Sequence, residues 1–105
     1  MNMKKLIISF FLLLFLNAAG SDSLNKAAIA MKNGNYKKAL DHINNANKTN
    51  YKNPDLYKMK ALIHEILDEP NQAKKAWKKC LKYSTDENMN HEAKIHIKIL
   101  SKKNE

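Results

Sequence analysis

The sequence predicts an all-α fold. Beyond about residue 20, apolar residues recur three and four positions apart, which is the spacing of one face of an α-helix. No stretch alternates apolar and polar residues as a half-buried strand would. Residues that commonly end or begin helices, namely Gly34, Pro54 and Pro70, interrupt the pattern at intervals. We therefore expect short helices joined by tight turns.

The first twenty residues have the layout of a secretory signal peptide. Lys4 and Lys5 precede the apolar run Leu6–Leu16, and the small residues Ala18–Gly20 follow it. The run is shorter than the roughly 20 apolar residues that a membrane-spanning helix needs. We expect an N-terminal signal helix over residues 1–20, its cleavage, and export to the periplasm or the extracellular space. An uncleaved membrane anchor is the alternative.

Residues 21–105 are enough for one small domain. The first helix is predicted by the apolar stripe Leu24, Ala27, Ala28 and Met31. Gly34 ends that helix, because glycine readily adopts the left-handed conformation found at helix ends. The second helix is predicted by the stripe Tyr36, Ala39, Leu40, Ile43 and Ala46.

Three further helices follow. Asn53 and Pro54 form a typical N-terminal cap, and the third helix carries the stripe Leu56, Met59, Ile63 and Ile66, with Tyr57 and Ala61 beside it. The segment Asp68–Pro70 separates it from a fourth helix that carries Ala73, Ala76, Trp77, Cys80 and Leu81. Ser84 and Glu87 resemble a capping box before a fifth helix that carries Met89, Ala93, Ile97 and Leu100.

The chain also repeats itself. When the sequence is aligned with itself at one fixed offset, five residues coincide with identical ones. They are Lys26, Ala27, Ile29, Ala39 and Lys48, which align with Lys60, Ala61, Ile63, Ala73 and Lys82. We call this offset the repeat shift. The shift equals the length of a tetratricopeptide repeat, about 34 residues, whose unit is helix–turn–helix. The segment Gly34–Leu40 (GNYKKAL) and the later Ala46 resemble the turn and second helix of that family. The second unit differs from this pattern at the turn, where Asp68–Pro70 replaces Gly34–Tyr36.

This resemblance implies two tetratricopeptide-like hairpins, at about residues 20–53 and 54–86, and a C-terminal capping helix at about 87–102. In the family, the first helix of each hairpin lines a groove for a partner protein or peptide. By resemblance, the groove positions here are Leu24, Ala28, Met31, Lys58, Leu62 and Glu65. The family's Lys and Asn clamp for a terminal carboxylate is absent, because Leu24 and Ala28 occupy its places.

The fifth helix is apolar on two sides. Ile95 and Ile99 point away from its capping stripe, at about 100° per residue. We expect a partner protein or a second copy of the chain to pack on these residues. Isolated surface isoleucines are the simpler interpretation.

The sequence contains no recognisable catalytic or cofactor site. His91 and His96 are five residues apart, so their rings diverge around a helix and do not form the i, i+4 zinc pair. The chain has only two glycines, which leaves no glycine-rich phosphate loop. We expect no enzymatic activity, no cofactor and no metal.

Charge suggests a second function. All 19 basic residues are lysine, and the absence of arginine argues against specific nucleic-acid recognition. Five lysines cover one side of the fourth helix: Lys74, Lys75, Lys78, Lys79 and Lys82. They form either a solvated face or a contact with an anionic envelope surface, such as lipid headgroups or an acidic polymer.

The single cysteine, Cys80, cannot form an intramolecular disulfide. We expect it to be a buried small residue, with an intermolecular disulfide or a reactive thiol as the alternative. Taken with the absence of catalytic motifs, the repeat favours a non-catalytic adaptor or scaffold. That protein-interaction module would work in the bacterial cell envelope or outside the cell.

Overall fold

The computed structural model describes residues 22–103, which divide into two compact units with the boundary between Thr49 and Asn50. The described residues form five α-helices and no strand, which confirms the all-α prediction. The helices are α1 (Asp22–Lys32), α2 (Tyr36–Asn47), α3 (Pro54–Ile66), α4 (Pro70–Tyr83) and α5 (Glu87–Lys102). The predicted signal helix, residues 1–20, lies outside the described residues.

The first unit consists of α1 packed against α2. Its buried residues are mainly alanines: Leu24, Ala27, Ala28 and Ala30 on α1, and Ala39, Ile43 and Ala46 on α2. Small side chains allow the two helices to approach closely. A hydrogen bond from Asn45 Nδ2 to Ser23 Oγ, 3.2 Å long, also joins the two helices.

The second unit consists of α3, α4 and α5, with α4 packed against both of the others. Its core contains Tyr57, Ala61, Ala73, Ala76, Trp77, Cys80, Ala93 and Leu100. Partly buried apolar side chains surround this core: Leu62, Leu81, Tyr83, Met89 and Ile97. The predicted stripes of α4 and α5 are therefore the surfaces by which these helices pack.

The turns that follow α1 and α3 have the same backbone geometry. Gly34 and Asp68, which the repeat shift aligns, are both left-handed, with φ of 75° and 56°. At each turn one amide donates to the carbonyl three residues back, and the next amide donates to the carbonyl five residues before it. The second turn departs from the first in sequence but not in conformation.

The N-terminal caps were predicted with mixed success. Asn53 caps α3 as predicted, because its side-chain oxygen accepts a 3.0 Å hydrogen bond from the amide of Asp55. The capping box proposed for α5 was wrong. Asp86 is the cap and accepts from the amide of Met89 at 2.8 Å, whereas Ser84 Oγ accepts from the amide of Asp86 at 3.2 Å. Ser84 therefore shapes the turn that precedes the helix.

Two isoleucines depart from the predicted pattern. Ile66 was assigned to the apolar stripe of α3, but it is the last residue of that helix and is 53% exposed. Ile29 is 51% exposed although the repeat shift aligns it with Ile63, which is fully buried. Among the described residues, no helix is both long enough and apolar enough to cross a membrane.

Candidate interaction surface

Two polar contacts join α5 to α3. The Lys58 ammonium donates a 2.8 Å hydrogen bond to Glu92 Oε2, and this pair is partly shielded from solvent. One turn further along α5, His96 Nδ1 lies 2.8 Å from Glu65 Oε2. Because Glu92 and His96 are four residues apart, they share the side of α5 that faces α3.

Glu65 is the centre of a polar cluster beside the core. Its carboxylate accepts a 2.7 Å hydrogen bond from Trp77 Nε1 on α4, in addition to the contact from His96. A carboxylate can only accept, so His96 Nδ1 carries the proton in this contact. The rings of Trp77 and His96 also contact each other, with their centroids 4.4 Å apart. One side chain thus connects all three helices of the second unit.

The side of α5 opposite its core residues Ala93 and Leu100 is apolar and basic. Ile95 is 43% exposed and Ile99 is 51% exposed. Lys94, Lys98 and Lys102 are exposed beside them, each four residues from the next. Ala93 and Leu100 are buried in the core on the other side of the helix. We call these five exposed residues the outer face of α5.

The residues assigned to a groove lie in different surroundings. On α1, Leu24 and Ala28 are buried and Met31 is partly exposed. On α3, Leu62 packs against the core of the second unit, while Lys58 and Glu65 make the contacts described above. Of the eight predicted partner-binding residues, Ile95 and Ile99 are the two whose side chains are largely exposed.

A second surface is the basic side of α4. Four of its five lysines, Lys75, Lys78, Lys79 and Lys82, are exposed, and the helix contains no acidic residue. The Lys79 ammonium lies 5.6 Å from the centre of the Tyr57 ring. Partial burial, together with the positive charge of Lys79, lowers the pKa of Lys60 on α3. The four exposed lysines, on a helix without an acidic residue, make this surface positive.

The first unit carries an open depression of about 380 Å³ between α1 and α2. Its lining includes the exposed side chain of Ile29 and the basic side chains of Lys26, Lys38 and His42. Lys26 is also 3.1 Å from Asp22 on the same helix. Nothing in the sequence pattern separates Ile29 from the buried Ile63, so this depression was not predicted.

The described residues contain no group of three or more His, Cys, Asp or Glu side chains placed to hold a metal ion. Cys80 is buried, as predicted, and has no disulfide partner among the described residues. Burial raises the pKa of its thiol from 9.0 to about 11, and this outweighs the opposing effect of Lys58. A protonated, buried thiol is a poor nucleophile.

Sequence reasoning missed the cluster of Glu65, Trp77 and His96. Glu65 was assigned to a groove and no partner was predicted for His96, because their contact joins positions that are far apart in the chain. The only local signal is Trp77, because a buried indole N–H needs an acceptor. That requirement does not identify which carboxylate supplies it.

Comparison of the chain with protein-family models, with curated proteins and with solved structures finds no match.

Proposed function

We propose that this chain is a non-catalytic protein-interaction module that works after export, in the periplasm or outside the cell. The observation that carries the proposal is the outer face of α5, where Ile95 and Ile99 are exposed side by side on an ordered helix. Large apolar side chains in such an arrangement favour binding to another protein, since burying them releases ordered water. The charged residues around them supply orientation and specificity.

The tetratricopeptide-like arrangement is part of this proposal. Its support is the spacing of α1, α3 and α5, which begin at residues 22, 54 and 87, close to the repeat length of the family. The matching turns at Gly34 and Asp68 add to it. In a stack of this type each helix pair presents an exposed side to a partner. The outer face of α5 carries two exposed isoleucines, Ile95 and Ile99, four residues apart on the helix.

Site-specific photocrosslinking tests the proposed function. A photoreactive amino acid at position 99 should yield covalent adducts with a partner protein in envelope extracts. The same amino acid at Asn44, an exposed position on α2, is the matched control. The proposal fails if position 99 yields no adduct, or if both positions yield the same ones.

Export is tested separately. N-terminal sequencing of protein recovered outside the cytoplasm should begin near residue 20. Recovery of the full-length chain only in membranes would favour the uncleaved anchor.

A second candidate function is binding to an anionic envelope surface, favoured by the four exposed lysines of α4. Contacts between exposed charges weaken with salt, because mobile ions screen them. Sedimentation with phosphatidylglycerol vesicles should therefore decrease as salt rises, and also in the Lys75→Glu/Lys78→Glu variant. Phosphatidylcholine vesicles are the control. If the variant sediments like the unmodified protein, α4 is not a membrane-binding surface.

A further inference from the structure

Two helices of the second unit can be compared with each other, because the repeat shift aligns α3 with α5. It places Met59 of α3 on Ala93 of α5, and both are fully buried. It also places Lys58 on Glu92, the pair that joins the two helices at 2.8 Å. The two helices can therefore be compared position by position.

Packing against α4 covers one side of α3. Tyr57 and Ala61 belong to the core that the alanines of α4 complete. His64, on the same side, is buried, and its Nδ1 lies 3.3 Å from Glu69 just before α4. These three positions form the side of α3 on which a second helix packs.

The corresponding side of α5 is uncovered. The repeat shift leads from Tyr57, Ala61 and His64 to His91, Ile95 and Lys98, all three of which are exposed. The helix α5 already packs against α4, and its residues Ala93 and Leu100 belong to the same core as Trp77 and Cys80. Among the described residues, one side of α5 therefore packs against α4, and the side with His91, Ile95 and Lys98 has no helix packed on it.

We propose that the outer face of α5 receives an acidic α-helix of a partner protein, which packs on α5 as α4 packs on α3. This inference rests on the proposed interaction function and specifies the chemistry of the partner. Ile95 stands where α3 has the small Ala61, so the partner helix needs small residues over it, as α4 has in Ala73 and Ala76.

Charge determines the second property of the partner. From His91 to Lys103 the only acidic residue is Glu92, and Lys58 neutralises it. Lys94, Lys98 and Lys102 form a row with four-residue spacing, which matches acidic residues at the same spacing on an adjacent helix. A second copy of this chain fits poorly, because it would oppose one lysine row with another, with only Glu87 of α5 to offset the repulsion.

The test uses a defined helix as the probe. The acidic probe is a hydrocarbon-stapled peptide with the sequence of residues 70–83, in which all five lysines are replaced by glutamate and Cys80 by alanine. The basic probe keeps the lysines and is otherwise identical. Fluorescence polarisation with the purified protein should show at least tenfold tighter binding of the acidic probe. Ile95→Lys should weaken that binding at least tenfold.

A charge reversal provides the matched control. The Lys94→Glu/Lys98→Glu variant should reverse the preference, so that the basic probe binds tighter. Lys37→Glu/Lys38→Glu makes the same change in net charge at exposed positions of α2 and should leave the preference unchanged. Circular dichroism should show that every variant keeps the helical content of the unmodified protein.

Three results would overturn the inference. The first is equal binding of the two probes, and the second is an equal effect of the α2 and α5 charge variants, which would indicate a non-specific charge effect. The third is a dimer in light scattering that Ile95→Lys dissociates, which would show that a second copy covers this face. Photocrosslinking at position 99 stays informative in each case. If position 99 forms adducts with another protein but the acidic probe does not bind more tightly than the basic one, the proposed interaction function is retained and the acidic partner helix is excluded.

Discussion

At the scale of single residues, the second unit depends on Trp77. Its ring is fully buried, and its N–H donates to Glu65 at 2.7 Å. Both the apolar area and the hydrogen bond are lost if the side chain is removed. Its place in the core was predictable from the apolar stripe of the fourth helix. The acceptor was not, because contacts between distant positions leave no local pattern.

We expect Trp77→Ala to lower the free energy of unfolding by about 3–5 kcal/mol, because it leaves a large cavity in the core. Trp77→Phe keeps most of the ring but removes the donor to Glu65. It should cost less, about 1–3 kcal/mol. Urea denaturation followed by far-UV circular dichroism measures both values. A cost for Trp77→Ala no larger than that of Lys75→Ala, an exposed position on the same helix, would contradict this packing.

Cys80 provides a prediction that depends on pH. Burial raises the pKa of its thiol from 9.0 to about 11, so at pH 8 the reactive thiolate should be about a hundredfold scarcer than in an unfolded chain. Alkylation by iodoacetamide should be at least that much slower in the folded protein than in urea. It should accelerate as pH rises toward 11. Equal rates in buffer and in urea would show that the thiol is accessible, and would favour the reactive cysteine.

At the scale of helices and turns, the sequence predicted the five helices well and their ends less well. The order and approximate extent of α1 to α5 follow from apolar spacing, glycine and proline. The helix α5 covers residues 87–102 as predicted, but its N-cap was assigned to the wrong residue because Ser84 and Asp86 are both good N-cap residues. Local sequence does not decide between two capping residues so close together. The exposure of Ile66 could not be predicted from the sequence either, since it depends on where the neighbouring helices end.

The two left-handed turns allow a prediction at this scale. Gly34 at φ 75° has space for a side chain, since a Cβ there would meet no atom within 4 Å. Gly34→Ala should therefore destabilise the protein only through the backbone, by about 1–2 kcal/mol. Asp68→Gly should do the reverse and stabilise it by up to about 1 kcal/mol, because Asp68 holds the same conformation at φ 56°.

Thermal or urea unfolding of the two variants measures these differences. Lys32→Ala, an exposed change in the last turn of α1, is the control for Gly34→Ala and should have a much smaller effect. If Gly34→Ala and Asp68→Gly shift stability in the same direction, the two turns are not equivalent.

At the scale of the whole molecule, the two units have unequal cores. The first contains two helices whose buried residues are mainly alanine. The second contains three helices around Trp77 and other large apolar side chains. The repeat in the sequence suggests equal units, but apolar area determines stability more than helix count does. Repeat spacing alone therefore did not predict this difference.

Unequal cores should appear as unequal local stability. We expect backbone amides at Ala39 and Ile43 of α2 to exchange with deuterium at least tenfold faster than those at Ala73 and Trp77 of α4, although all four residues are buried. The difference should arise because local opening of α2 exposes less apolar surface than opening of α4. Native-state hydrogen exchange followed by NMR measures each amide, corrected for its intrinsic rate. Trp77→Ala is the informative variant: it should raise exchange in α4 to the rate of α2 or above. Equal protection of α2 and α4 in the unmodified protein would mean that the two units open as one, despite their different cores.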